Sequence, residues 1–216
     1  MVSSVIKKQS FDYEKIAMAY HEASHTVVGL YNYFRIDSVH IISDRFEHGN
    51  TDFTMYADSI DDSELKKMFF FFEIQTYYAG LVGEKIYYKD ITGSDKFPIH
   101  LREGSAEDIK IAAKIIRKNN LSTSGKKTYV LKKQIQYDVE CILEEYWDDV
   151  KLIAHLLYQK KRLSFADLKH ILIKRSDNKD FWKQRFKIII LINRDEKRPE
   201  ENEVKDILLQ DTIISI

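Results

Sequence analysis

Between Tyr13 and about Tyr33, apolar residues recur at Ile16, Ala19, Tyr20, Ala23, Val27 and Leu30, with Gly29 the only glycine and no proline. That 3.6-residue recurrence predicts a helix, with Asp12 as its N-cap. The pattern then changes. "DSVHIIS" and "TDFTMYA" are short, roughly alternating and rich in β-branched or aromatic residues, and "DRFEHGN" separates them. They predict two strands, read as a hairpin with a loop. "DDSELKKMFFFFEIQTYYAGLVGEKIYY" predicts a long, largely buried helix, opened by Asp61 three residues before Glu64, the spacing of a capping box.

Glycine, proline, serine and aspartate make "KDITGSDKFPIHLREG" a loop. "GSAEDIKIAAKIIRKNN" predicts a third helix, with Ser105 near its cap and Asp108 in its first turn. After "LSTSGKK", the amphipathic stretch from Thr128 to about Lys161 reads as one long helix or two in sequence. "LSFADLKHILIKR" predicts another, with Ser164 as cap and Asp167 at its third position. Beyond Ser176, "FWKQRFKIIILIN" suits helix or strand, the charged run from Arg194 to Glu203 reads as a solvated linker, and "ILLQDTIISI" is apolar enough to pack on something. The expected organisation is one domain over 1–175 and a C-terminal extension over 176–216, packed on that domain or on a partner.

Composition narrows this picture. A chain of 216 residues suffices for one domain with a real core. Only 7 Gly and 2 Pro occur, so the expected class is mainly α with a small β element. Lys+Arg and Asp+Glu both number 34, without the basic excess of a nucleic-acid binder, so no nucleic-acid partner is expected. The lone cysteine, Cys141, forms no intrachain disulfide, which points to a reducing, cytoplasmic setting. No apolar run approaches the ~20 residues of a membrane span, and the N-terminus lacks the apolar core of a signal peptide.

The chemistry concentrates in "AMAYHEASHTVVGLY", where His21, Glu22 and His25 form an H-E-x-x-H motif. Residues four apart share a helix face, so two imidazoles can bind one zinc at about 2.0–2.1 Å. Glu22 then stands beside the metal, placed to act as general base on an activated water in peptide hydrolysis. The plainer alternative is an apolar helix carrying two histidines, each of which needs another partner once buried. A zinc of this kind requires a third protein ligand. The pattern H-E-x-x-H-x-x-G-x-x-H fails here, because Tyr31 occupies the last position and the glycine is Gly29. The ligand must come from elsewhere, and Asp108, Glu107, Glu84, His100, His40 and His48 are the candidates.

Several segments together resemble one family. "IAMAYHEASHTVVG" resembles the "AYHEAGHAxVG" segment of the FtsH-type zinc metalloproteases, the membrane-bound AAA+ proteases. "SVHIISDRFEHGNTDFTMY" resembles the strand region that comes next there, including a Gly-x-Thr-like turn, "YYAGLVGEKIYY" resembles "xLAGRAAEExxF", and "GSAEDIKIAAKIIR" resembles "GASNDIxxATxxAR". The later helices up to about residue 172 resemble that family's in order and spacing. The resemblance implies a helical, zincin-like metallopeptidase domain in which His21, His25 and Asp108 hold zinc and Glu22 is the base. It places Glu84 at the first glutamate of its segment, in a structural or supporting role, and Glu107 where the family has Asn.

Ser24 stands where the family has glycine, and the loop before Asp108 differs. No G-x-x-x-x-G-K-[ST] motif occurs, so the expectation is the peptidase part alone, ATP-independent in itself. Peptides or unfolded proteins are the expected substrates, with a homo-oligomer or a separate ATPase as candidate partners. The competing expectation is an inactive or weakly active binding or regulatory module with a structural zinc.

Overall fold

The structure, a computed structural model, describes residues 2–41, 49–54, 60–98, 105–122, 124–193 and 200–214. Helices dominate it. The chain runs α1 (Val2–Tyr31), β1 (Arg35–Ile41), β2 (Gly49–Thr54), α2 (Ser63–Thr92), α3 (Ala106–Lys118), α4 (Gly125–Glu145), α5 (Trp147–Lys160), β3 (Arg162–Ser164), α6 (Phe165–Arg175), α7 (Lys179–Ile192) and α8 (Glu201–Ile214). Among the described residues, no helix is long and apolar enough to cross a membrane.

α1 is the central element, packed against α2, α5 and the sheet. Every residue from His21 to Leu30 is buried, which explains why its apolar pattern spreads around the helix instead of forming one stripe. The helix begins at Val2, so Asp12 lies within it and is not the cap; no proline or glycine precedes Tyr13 to stop the helix from extending.

α1 and α2 meet at small residues. A Cβ on Gly83 would lie 2.6 Å from Cβ of Ser24, closer than real carbon atoms approach. The missing side chain is what lets the two helices touch there.

β1 and β2 pair antiparallel, with Val39 opposite Thr51, as the alternation predicts. β3 adds to the other side of β1, with Val39 opposite Leu163, giving the order β2-β1-β3 with β2 at an edge among the described residues. Sequence gives little sign of β3. Its three residues are too few to show a period, and they pair only because α5 delivers them to β1.

Other boundaries differ from expectation for local reasons. Asp62, not Asp61, caps α2, accepting from the Glu64 and Leu65 amides at 3.1 and 2.8 Å. The amides of Asp61 and Asp62 donate instead to the Glu201 carboxylate, the latter at 2.9 Å, and Lys205 Nζ reaches Asp62 at 2.5 Å. Part of the expected charged linker is therefore the first turn of α8, clasping the start of α2; residues 194–199 lie outside the described residues. α2 continues through Thr92 into the expected loop, because Gly93 supplies the left-handed stop at φ 68°. The stretch from Thr128 to Lys161 is two helices, broken at Tyr146, whose ring packs on Phe181 and Trp182 of α7. The Ser164–Asp167 capping box is present as predicted.

The C-terminal helices are tied to α1 by a buried polar group. Just after α1, Tyr33 donates its hydroxyl to Asp211 at 2.8 Å, and Arg185 pairs with the same carboxylate at 3.1 Å. The Arg185 guanidinium lies 3.9 Å from the centroid of the Tyr33 ring. Burial, together with the hydrogen bond to and charge of Asp211, outweighs Arg185 and pushes Tyr33 up to about 12 from the usual 10.0. A phenol with a raised folded-state pKa stabilises the fold below its unfolded pKa and loses that contribution as pH rises toward the folded value. Stability should therefore fall between pH 10.0 and about 12. Tyr33→Phe should reduce the slope of that loss, read from denaturant midpoints across the range.

Candidate metal centre

Four elements, α1, α2, β2 and α3, build the centre. On α1, the His21 and His25 rings lie edge to face with centroids 4.6 Å apart. Their outer nitrogens are fixed by α2. His21 Nδ1 is 2.6 Å from Glu84 Oε1, and His25 Nδ1 is 2.6 Å from the carbonyl oxygen of Thr76. A carbonyl can only accept, so His25 Nδ1 carries the hydrogen, and the carboxylate of Glu84 calls for the same tautomer in His21. Both Nε2 lone pairs then turn inward.

The two Nε2 atoms are 2.9 Å apart, and Asp108 Oδ2 lies 3.2 Å from His21 Nε2 and 3.3 Å from His25 Nε2. Two lone pairs and a carboxylate oxygen at such separations repel unless a cation lies among them. Bonds of about 2.0–2.1 Å to a tetrahedral ion put ligand atoms about 3.3 Å apart, so this set fits such an ion. Gly80 faces the same space: a Cβ there would lie 2.5 Å from both Nε2 atoms. Among the described residues, His21, His25 and Asp108 form a group that could hold a metal ion.

The protonation behaviour without a metal has the same origin. Burial opposes charge on His21, but hydrogen bonds with Asp108 and Glu84, then the charges of Glu84 and Glu22, outweigh it and raise its pKa well above 6.5. Burial would raise Asp108, yet the hydrogen bonds from His21 and His25 and their charges hold it well below the usual carboxylate range. A proton shared in this group satisfies the electrostatics that a metal would satisfy.

Glu22 is 4% exposed and turns toward β2, where Thr51 Oγ1 lies 2.6 Å from its Oε2. The group opens into a cleft of about 360 Å³ whose walls include Met18, Phe53, Tyr77, Glu107 and Ile111. A larger cleft of about 540 Å³ lies between α2 and α4, but the gathered ligand atoms open into the smaller one. Tyr77 lines this smaller cleft and packs on Phe53; burial, then the charges of Glu73 and Asp108, push its phenol up to about 12.

Of the six candidate third ligands, Asp108 is, among the described residues, the one whose carboxylate meets the inward Nε2 atoms. Glu84 is drawn to the far nitrogen of His21, the position from which a carboxylate orients a ligating imidazole. Glu107 points into solvent and pairs with Lys110 at 3.3 Å. His40 sits in β1 outside the group, and His48 and His100 lie outside the described residues. Thr76 and Gly80 have no role legible in sequence, since a carbonyl or a missing side chain leaves no chemical signature there; Gly49 and Thr51 stood out only as the Gly-x-Thr-like turn of the family resemblance, without a role.

Glu84→Gln keeps the shape but weakens the hold on His21 Nδ1. It should lower zinc affinity by about 10–100-fold, measured by competition with a chromophoric chelator. No protein-family model matches this sequence, and no curated protein matches it.

Proposed function

We propose that this chain is a zinc-dependent endopeptidase of zincin-like type, with His21, His25 and Asp108 as metal ligands and Glu22 as general base. The observation that carries this reading is the convergence of both inward Nε2 atoms on Asp108 Oδ2, with the Glu22 carboxylate opening into the same cleft. Zinc, when bound, supplies Lewis acidity and lowers the pKa of water it holds. Glu22 takes the proton of the attacking water onto its carboxylate and returns it to the leaving amine. Asp108 and the two histidines offset the metal's charge, and Glu84 holds His21 in the ligating tautomer.

The edge position of β2 suits an extended peptide, whose main chain would pair beside the cleft and set the scissile bond near Glu22. Peptides and unfolded chains are therefore the substrate class. The resemblance to FtsH-type peptidase domains supports the same reading and gains from one paired difference. Where that family has glycine between the histidines and alanine three residues after the glycine that matches Gly80, this chain has Ser24 and Gly83, and the serine side chain fills the space that an alanine Cβ would take. A cytoplasmic setting and a partner ATPase belong to the same proposal.

The test is a zinc-replete preparation with casein and a broad peptide library. Cleavage that stops on chelation and returns with zinc supports the peptidase. Full zinc with no cleavage across the library overturns it in favour of a binding module with a structural metal.

A further inference from the structure

Glu22 is held more closely than a base on a helix surface needs to be. Its carbonyl oxygen already accepts from the Thr26 hydroxyl at 2.9 Å. The Thr51 hydroxyl lies 3.3 Å from that carbonyl and 2.6 Å from carboxylate Oε2. A hydroxyl has one hydrogen to give, and the shorter, charge-assisted partner takes it. Gly49 faces the same side chain: a Cβ there would run into Glu22 Oε1 and lie 2.5 Å from Cγ and 2.7 Å from Cδ. β2 thus grips the carboxylate through one hydroxyl and one missing side chain, two residues apart on one face of the strand.

We infer that Thr51 is a positioning residue for the general base, with Gly49 providing the room, an inference that rests on the peptidase reading above. Thr51 itself does not touch the reacting atoms. It holds Oε2 while Gly49 faces Oε1, and together they fix the carboxylate rotamer. β2 is also the edge strand proposed to receive the peptide, so one element sets both the base and the substrate backbone. Misplacing a reacting group by about 1 Å costs up to about 100-fold in rate.

Thr51→Val, which keeps the shape and removes the hydroxyl, should lower kcat by about 10–100-fold with KM little changed and zinc content intact. Thr51→Ser should restore most of the rate, since it restores the donor. A second measurement needs neither zinc nor activity. In metal-free protein, Thr51→Val should lower the denaturant midpoint in the wild-type background and lose that effect in the Glu22→Ala background. Equal shifts in both backgrounds, a Thr51→Ser variant as slow as Thr51→Val, or a raised KM with kcat unchanged would overturn the inference. If wild-type protein with full zinc cuts nothing, the peptidase reading fails, while the metal-free cycle still reports whether Thr51 holds Glu22.

Discussion

If the proposed peptidase reading holds, Glu22→Gln is expected to abolish peptide hydrolysis, by about 10²–10⁴-fold, while zinc stays bound. The amide matches the carboxylate in size, so the contacts with Gly49 and Thr51 persist, and the ligands His21, His25 and Asp108 are untouched. What disappears is the ability to take up a proton. Turnover of a fluorogenic peptide and zinc per chain, measured on one preparation, separate the outcomes. Retained turnover removes Glu22 from the chemistry. Loss of zinc along with turnover would make Glu22 part of the metal's support.

Gly80→Ala is expected to empty the metal centre. The new methyl would fall where the two Nε2 atoms meet, 2.5 Å from each. The rings cannot yield freely, because Glu84 and the Thr76 carbonyl hold their far edges at 2.6 Å. Either those bonds break or α1 and α2 separate. Overpacking of this kind costs about 1–3 kcal/mol. Metal analysis should show zinc falling well below one per chain, with a lowered melting temperature. Gly83→Ala is the informative control: it crowds Ser24 in the same interface without reaching an imidazole. It should destabilise and keep the metal. Normal zinc binding in Gly80→Ala would refute the close fit at this glycine.

Sequence carried the centre unevenly. His21, Glu22 and His25 were legible because a helix turns a four-residue spacing into a shared face, and the apolar residues around them announced that helix. Asp108 was not legible from local pattern, since an aspartate in a helix's first turn is ordinary; only the family resemblance singled it out. β3 and the Asp211–Tyr33 contact were invisible for a related reason. Each depends on a partner more than a hundred residues away, and no local period records it. The misplaced caps have local reasons: nothing before Tyr13 stops α1 from extending through Asp12, and at the start of α2 the Asp62 carboxylate, one residue on from Asp61, is the one that meets the free amides.

The clasp at the C-terminus bears on the order in which the chain becomes whole. Synthesis delivers α1 before α2, α5 and the sheet that pack on it. Until α5 emerges, the face of α1 that it buries has no cover. Until Glu201 and Asp211 emerge, two amides at the start of α2 and the guanidinium of Arg185 lack their carboxylates. A chain cut short before Asp211 lacks the carboxylate that Tyr33 and Arg185 meet and is a better target for chaperones and degradation than a working fragment.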